Sequence, residues 1–378
     1  METVKRVKLN CIANLITKGT TPTTLGYTFQ DSGVNFLKIE CFDDYGNFIK
    51  NKVTHISEEC NKKLIRSQLQ INDILFSIAG AIGRVAIVTE EMLPANTNQA
   101  LAIIRIESKS VYLPYVKLIL TSPIVKKQFE KKKQGVAQLN LSLKDIGELE
   151  IPLPDYKKQI EYVNLFDNVK RIVVNRMREL DKLDELVKAR FVEMFNCCDL
   201  AEQKEDWKPI SKIGTIISGS TPKTTIAEYW DGEYRWITPA EIDNEAGYIY
   251  DSQRKITLDG AKSCSLTELP IDTVLLTSRA PIGKVALAGN TFFCNQGFKN
   301  IVCNNRINPL FLYTLLRLNT DYLNSLGRGA TFKEISKKIV ENIKIPVPSM
   351  DLQNQFATFV KQIDKSKVAV KNALDKTQ

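Results

Sequence analysis

Apolar residues recur every seven positions along a segment near the middle of the chain. The series consists of Phe166, Val173, Leu180, Val187 and Met194. A seven-residue apolar repeat is typical of a helix that packs lengthwise against another helix. Since residues 156–196 contain neither glycine nor proline, we predict one long helix there. Forty residues of helix would extend roughly 60 Å.

Elsewhere, short runs of β-branched and aromatic residues are separated by Gly, Pro, Asn and Asp. Examples are the runs at 35–39, 73–78 and 100–104. Such runs predict many short strands. Helical patterns follow them at 113–133 and 309–326. We therefore predict an α/β fold of the mixed α+β type.

Most of these patterns occur twice along the chain, and their order is kept. The matched segments are Gly19–Pro22 with Gly219–Pro222, Ile82–Ala86 with Ile282–Ala286, Asn98-Gln99 with Asn295-Gln296, and Ile151–Pro154 with Ile345–Pro348. Two diverged copies of one unit, each followed by a helix, predict two similar binding surfaces held apart by a spacer.

A second apolar series near the C-terminus supplies a partner for the central helix. It consists of Phe356, Val360, Ile363, Val370 and Leu374. We predict an antiparallel coiled-coil pair, although packing into an ordinary core is the alternative for either helix alone. The second helix is shorter: either it is naturally truncated, or another subunit completes the pair. The predicted regions are the two copies at 1–155 and 199–348 and the spacer helices at 156–198 and 349–378.

Composition narrows the classes of partner and of metal site. The chain of 378 residues carries a net charge of +9, which fits a polyanionic partner. Its eight cysteines form no C-x-x-C pair and His55 is the only histidine, so we expect reduced thiols and no metal. There is no apolar run of about 18 residues and no apolar signal core after Met1, so we expect a cytoplasmic protein.

Motifs for catalysis are missing from the sequence. We find no P-loop, no G-x-G-x-x-G turn and no Asn/Asp-Pro-Pro-aromatic tetrapeptide. Pro154–Lys157 is vaguely similar to a nuclease carboxylate motif, but Pro and Asp are ordinary residues at a helix start. His55 has no partner that suggests a triad. Two alternatives stay open: an enzyme whose catalytic centre lies in divergent loops, and a scaffold that binds other proteins.

The repeated motifs together resemble the DNA-specificity subunits of type I restriction-modification systems, the HsdS family. The resemblance covers almost the whole chain and depends on the order of the motifs, repeated twice. Further features that carry it are Leu141–Ile146, Gln159, Gln353 and Leu183–Phe191.

The resemblance implies that each copy is a target recognition domain that reads one half of a split, asymmetric DNA site. The helices would set the gap between the half-sites and dock two methyltransferase subunits, to which restriction subunits can be added. This chain would perform no chemistry itself. S-adenosylmethionine would bind to the methyltransferase, and ATP and Mg would bind to the restriction subunit.

Chemistry at the matched turns suggests which residues contact DNA. Backbone amides of small turn residues can approach phosphates, cations reach phosphate or guanine, and side-chain amides pair with adenine. The candidates are Thr20, Thr21, Arg84, Asn98, Gln99, Lys126, Lys127, Lys131, Lys132 and Lys133 in the first copy and Thr221, Arg279, Lys284, Asn295, Gln296 and Arg328 in the second. Fold-stabilising turns, braced loops and a solvated helix face are the alternatives.

The helices divide into packing positions and docking positions. For packing within the chain we predict Phe166, Val173, Leu180, Val187, Phe356, Val360, Ile363 and Leu374. For contact with the methyltransferase we predict Arg176, Met177, Arg190 and Phe191. The apolar end beyond Asp184 has no counterpart in the second helix, which makes that end the favoured docking surface.

Overall fold

The chain forms two units that share one order of strands. A computed structural model describes residues 4–130, 140–196, 199–243, 247–279, 281–329 and 333–377. Its contacts divide the chain into a first unit, Met1–Ile172, and a second unit, Val173–Gln378. Both units mix helices with strands, which confirms the predicted fold class.

The first unit is built on a four-stranded antiparallel sheet. Its strands are β1 (Arg6–Lys8), β2 (Leu15–Lys18), β3 (Val34–Leu37), β4 (Thr54–Ile56), β5 (Ile74–Ser77), β6 (Val85–Ile87), β7 (Ala95–Thr97), β8 (Leu101–Arg105) and β9 (Glu150–Pro152). The order in the larger sheet is β2-β8-β5-β6. A smaller sheet has the order β4-β3-β7, in which β3 and β7 run parallel, and β1 pairs with β9.

Apolar side chains cover both faces of this larger sheet. The helices are α1 (Glu58–Lys63), α2 (Leu113–Leu120), α3 (Pro123–Glu130), α4 (Leu143–Gly147) and the start of α5 (Tyr156–Phe195). Phe76 of β5 shares a core with Val116 of α2 and Phe129 of α3. Its neighbour Leu75 faces the opposite way and packs with Leu37 of β3. Because both faces are buried, the strands are continuous apolar runs and do not alternate with polar residues.

The second unit repeats this arrangement and adds one strand. Its strands are β10 (Lys208–Pro209), β11 (Gly214–Ser218), β12 (Trp230–Ile237), β13 (Tyr248–Ile249), β14 (Arg254–Ile256), β15 (Val274–Leu276), β16 (Val285–Ala288), β17 (Phe293–Cys294), β18 (Lys299–Cys303) and β19 (Lys344–Ile345). The larger sheet has the order β11-β18-β15-β16-β13, and the smaller has β14-β12-β17. The added strand β13 runs parallel to β16 at the edge.

Helices of the second unit complete the repeat. They are α6 (Leu258–Ser263), α7 (Pro309–Leu318), α8 (Thr320–Ser325), α9 (Lys337–Asn342) and α10 (Met350–Asp375). Helix α7 is the counterpart of α2, since each follows an extended N-cap residue and has a proline in its first turn, Pro114 in α2 and Pro309 in α7. A proline at the first helical turn costs no hydrogen bond, because the N–H groups there are unpaired in any helix.

The long central helix is a single element, as the seven-residue period predicts. Within the second unit, α10 packs antiparallel to the end of α5. Phe356 near the start of α10 lies 5.2 Å from Phe191 between ring centroids, and Lys367 further along α10 is 2.8 Å from the carboxylate of Asp184. Phe356, Val360 and Ile363 are buried, as predicted.

The packing prediction is wrong for Phe166. Its side chain is 60% exposed, whereas Val187 packs against the core of the second unit. Val173, Leu180 and Leu374 are partly buried. Helix α10 has 26 residues and α5 has 40, so the shorter helix cannot cover the apolar series along the whole of the longer one.

Candidate nucleic-acid interface

In each unit, three matched motifs that are distant in sequence meet at one place. We call this place the motif cluster. It comprises residues 19–22, 78–84 and 98–100 in the first unit and residues 219–222, 278–279, 281–284 and 295–297 in the second. The contacts below show that the same interactions assemble both clusters.

A glycine allows two segments of the chain to lie in close contact within each cluster. A Cβ atom on Gly19 would lie 1.8 Å from the carbonyl oxygen of Thr97, and one on Gly219 would lie 2.0 Å from that of Asn295. No other residue fits without movement of the backbone. The glycine of the Gly-x-Thr-Pro motif is therefore required for the close approach to the Asn-Gln step.

A side-chain hydrogen bond then joins these two motifs. The hydroxyl of Thr21 donates to Oε1 of Gln99, and the hydroxyl of Thr221 donates to Oε1 of Gln296. Both glutamines are exposed, and among the described residues their Nε2 groups have no hydrogen-bond partner. Each cluster thus holds an exposed amide in a fixed orientation with its donors open to a ligand.

The asparagine of each Asn-Gln step acts within the loop. Oδ1 of Asn98 accepts from the backbone N–H of Ala100 at 3.1 Å, and Oδ1 of Asn295 accepts from that of Gly297 at 2.9 Å. The neighbouring turn is attached here as well, because the N–H groups of Ile78 and Ser278 donate to the carbonyls of Ala100 and Gly297 at 2.9 and 2.7 Å. These asparagines therefore brace the loop; contact with adenine stays a prediction for them.

The matched cations of the Ile-Gly turns bind carbonyls of their own unit. Arg84 donates to the carbonyl of Phe42 at 2.9 Å and also pairs with Asp44. Lys284 donates to the carbonyl of Ile242 at 2.8 Å, at the matched position. Both cations attach the turn to the loop that follows β3 or β12. Each cation thus already donates a hydrogen bond to a group of its own unit. DNA contact by either cation stays a prediction.

Arg279 differs from these two cations. It is half-buried at the start of the second turn, and it has no hydrogen bond or ion pair within the described part of the chain. Ala79 occupies the matched position in the first unit. The second cluster therefore presents an unpaired guanidinium that the first lacks.

Other predicted cations lie beside the clusters or outside the described residues. Exposed Lys126 on α3 lines a cavity of about 310 Å³ together with Arg84 and Ile82, and Lys127 is exposed next to it. Lys131, Lys132 and Lys133 lie outside the described residues. Arg328 is exposed, and its backbone pairs with that of Glu334. The Glu334 carboxylate in turn lies 3.1 Å from Lys299, a buried lysine of β18.

Thr20 directly precedes Thr21, whose hydroxyl donates to Gln99 in the first cluster. It is partly buried and lies between Gly19 and Thr21, at the point where the chain passes close to Thr97. The matched Ser220 donates its backbone N–H to the carbonyl of Cys294 at 3.0 Å. This segment is a fold-stabilising turn in both units, and phosphate contact by its amides stays a prediction.

Two cations stack on aromatic rings, and the sequence patterns do not predict either contact. The guanidinium of exposed Arg254 lies 3.7 Å from the ring centroid of Trp230, which packs edge-on against Trp236. In the first unit the ammonium of Lys38 lies 4.4 Å from the ring centroid of Phe29. Trp236 also donates to the carbonyl of Ser220 at 3.1 Å, so the stack of the second unit adjoins its cluster. Arg254 lies in β14 and Trp230 in β12, and a search for local motifs cannot detect a pair from two strands.

Comparison with known proteins identifies the family. A profile of the type I restriction modification DNA specificity domain matches residues 1–185 and 204–377. The chain belongs to the type I restriction-modification DNA specificity family. The two matches correspond to the two copies of the internal repeat.

Individual relatives agree with this assignment. The type I restriction enzyme MjaIX specificity subunit of Methanocaldococcus jannaschii is 41% identical over 184 residues, 47% of this chain and 43% of the relative. The type I restriction enzyme EcoBI specificity subunit of Escherichia coli is 31% identical over 167 residues, 42% of this chain and 34% of the relative. The matched segments thus span less than half of these relatives.

Solved structures share the fold over nearly the whole chain. A chain from a study of complex assembly and conformational transition in a type I restriction-modification system aligns with a TM-score of 0.69 at 17% identity, covering 99% of this chain and 93% of that one. The HsdS subunit from Thermoanaerobacter tengcongensis aligns with a TM-score of 0.53 at 18% identity, covering 99% and 92%. The fold is therefore that of the specificity family.

One residue predicted to dock a methyltransferase lies in the core of this family member. Phe191 is 1% exposed and packs with the rings of Phe311 and Phe356. The prediction is wrong for Phe191, because α7 and α10 converge on its face of α5. Met177 is 54% exposed. Arg176 and Arg190 carry ion pairs to glutamates one turn further along α5, each at 2.7 Å.

Asp155 and His55, the two residues that the sequence raises as candidates for catalysis, lie at a helix start and in a strand. Asp155 accepts from the backbone N–H of Lys158 at 2.9 Å and so caps α5. His55 lies in β4, paired with Asn35 of β3. Burial raises the pKa of the Cys294 and Cys303 thiols to about 12, so neither is a thiolate at neutral pH. Within the described residues there is no group of His, Cys, Asp and Glu that could hold a metal, and no helix long and apolar enough to span a bilayer.

Proposed function

We propose that this chain is the DNA sequence-recognition subunit of a type I restriction-modification complex. Each unit reads one half of a bipartite, asymmetric target, with recognition domains at 1–155 and 199–348 and spacer helices at 156–198 and 349–378. The observation that carries the proposal is the motif cluster, which occurs once in each unit. Both clusters have the same glycine contact and the same hydrogen bond from threonine to glutamine, which we call the Thr–Gln brace.

Charge and asymmetry support DNA as the ligand. The chain has a net charge of +9, and the two clusters offer different donors, because Arg279 of the second is alanine in the first. Different donors on one framework are what two unlike half-sites require, since base identity is read by the pattern of donors and acceptors in the major groove. The symmetric framework and the asymmetric donors together favour a split target over a palindrome.

The chain itself is proposed to be non-catalytic. Two methyltransferase subunits bind it and hold S-adenosylmethionine, and restriction subunits that use ATP and Mg join them. Exposed apolar residues on α5, such as Leu165, Met177 and Leu186, support α5 as the docking element. This assembly works on DNA in the cytoplasm.

The test compares three purified samples: this chain, a cognate adenine methyltransferase, and the two co-expressed. Transfer of a labelled methyl group to DNA is measured for each sample. We expect activity only from the co-expressed pair. Methylation or cleavage by the chain alone would favour an enzyme, and failure to co-purify with the methyltransferase would contradict the proposal.

A further inference from the structure

Both long helices begin beside a fully buried glutamine. Gln159 lies in the first turn of α5 and Gln353 in the first turn of α10, and both side chains are 0% exposed. A side-chain amide loses its hydrogen bonds to water when it is buried, so it requires partners within the protein. The partners of these two glutamines are the same in both units.

In the first unit, Gln159 joins three segments. Its Oε1 accepts from the backbone N–H of Tyr112 at 2.8 Å. Its Nε2 donates to the carbonyl of Ser110 at 3.0 Å and to the carbonyl of Pro154 at 2.8 Å. Tyr112 is the residue immediately before α2, and Pro154 lies in the short link between β9 and α5.

In the second unit, Gln353 makes the matched bonds. Its Oε1 accepts from the backbone N–H of Asn308 at 2.8 Å. Its Nε2 donates to the carbonyls of Arg306 at 3.3 Å and Pro348 at 2.7 Å. Asn308 is the N-cap of α7, the counterpart of α2. Two diverged copies have thus kept one arrangement at the point where each long helix starts.

The geometry of an amide explains what this arrangement does. The group is planar and its donors and acceptor point in fixed directions, so three bonds to backbone atoms of two segments restrict how the helix is turned. We infer that Gln159 and Gln353 are positioning residues that fix the direction in which each spacer helix leaves its recognition unit. This inference rests on the proposed function, because the helix direction matters through the gap between half-sites.

Two other glutamines provide matched controls. Gln128 binds the backbone N–H and carbonyl of Glu150 at 2.9 and 2.8 Å, and Gln203 binds those of Lys344 at 3.0 and 3.1 Å. Both hold β9 or β19 by side-chain bonds to backbone, and neither bonds to α5 or α10. Their loss affects local stability without freeing the start of a long helix.

The experiment uses the full chain in complex with its methyltransferase. The variants are Gln159→Leu, Gln353→Leu, Gln128→Leu and Gln203→Leu, with Gln159→Glu and Gln353→Glu as further variants that keep the side-chain length and the acceptor. The substrates are DNA duplexes that carry both half-sites, as determined for the wild type, with the gap lengthened or shortened by one or two base pairs. Methylation rate on each gap and the melting temperature of each complex are measured.

We expect the variants at 159 and 353 to lose selectivity for the native gap about tenfold, while the half-site sequences stay the same. The variants at 128 and 203 should keep the wild-type gap selectivity even if their melting temperatures fall as far. Unchanged gap selectivity in folded variants at 159 and 353 would overturn the inference. If the wild type itself recognises no split site, the proposed function fails instead, so the two failures are distinguishable.

Discussion

The first and second units have the same strand order but carry different cations on it. Arg279 of the second unit is matched by Ala79 in the first. Arg254 pairs across the sheet with Trp236 in the second unit. Thr54 pairs in the same way with Phe36 in the first unit, so Thr54 occupies the position that matches Arg254. In contrast, the Thr–Gln brace and the carbonyl-bound cation of the Ile-Gly turn occur in both. The residues that build the framework are therefore the same in both units, whereas the cations that the framework carries differ.

The long helix offers a second comparison between the units. In the first unit, its apolar residue Phe166 is 60% exposed; in the second, Phe191 is 1% exposed beneath α7 and α10. Val187, a member of the same seven-residue series as Phe166, also packs against the core of the second unit, so one series has two outcomes. Stability of the second unit depends on α5, whereas the exposed apolar residues in the first unit are available to a partner.

The largest predicted effect is a difference in stability between variants in the first-unit part and in the second-unit part of α5. Phe191→Ala should lower the free energy of unfolding of the second unit by about 3–5 kcal/mol, because it leaves a cavity among packed rings. Phe166→Ala should change that of the first unit by less than about 0.5 kcal/mol. Denaturant unfolding of the full chain measures both. Equal losses at the two sites would mean that Phe166 is buried in solution.

The glycine contact tests whether both clusters depend on the same framework. Gly19→Ala and Gly219→Ala should each destabilise their own unit by about 3 kcal/mol, because the added methyl overlaps a carbonyl oxygen. Gly247→Ala is the control, since nothing lies within 4 Å of the Cβ position there. Thermal unfolding provides the measurement. A tolerated alanine at 19 but not at 219 would show that the two turns are not equivalent.

Arg279 tests the difference between the clusters. Arg279→Ala should weaken binding to the second half-site by about 1–3 kcal/mol if the guanidinium reads a base, and binding to the first half-site should not change. The reciprocal Ala79→Arg should alter preference in the first half-site alone. Titration with duplexes that carry single base-pair changes measures both effects. A uniform loss over all sequences, with a salt slope reduced by about one, would indicate a phosphate contact.

The smallest effect concerns the shared brace. Thr21→Val and Thr221→Val keep the side-chain volume and remove one hydroxyl, so each should cost its unit about 1 kcal/mol. The two losses should be equal within error, because the brace is the same in both units. Unfolding experiments on the single variants check this. No loss in either would show that the exposed glutamines are held by other contacts.

Local and periodic features were predictable from the sequence. The order of repeated motifs predicts two similar units, and the period of seven predicts the long helix. The added strand β13 was not predictable, because the pair Tyr248–Ile249 is too short to carry a pattern. Burial of Phe191 depends on rings from α7 and α10, and the Arg254 stack depends on a neighbouring strand; neither can be read from a local segment.

The sequence predicts which motifs are matched in the two units, but not the bonds that each of their side chains makes. For Asn98 and Asn295 the sequence leaves adenine contact and bracing of a loop equally open, and the structure shows the bracing bonds to Ala100 and Gly297. Contact of Arg84 and Lys284 with phosphate or guanine stays a prediction, whereas the carbonyl that each binds in a distant loop cannot be predicted from the motifs. Such partners depend on tertiary structure, which the spacing of motifs does not contain.

The most direct test of one unit per half-site is genome-wide mapping of methylated adenines in a host that lacks related systems. The host expresses the methyltransferase alone, with the wild-type chain, or with the Arg279→Ala variant. The account predicts a new split, asymmetric motif only when the chain is present, and a relaxed preference in one half of that motif with the variant. A contiguous palindromic motif, or a change in both halves from the single substitution, would contradict it.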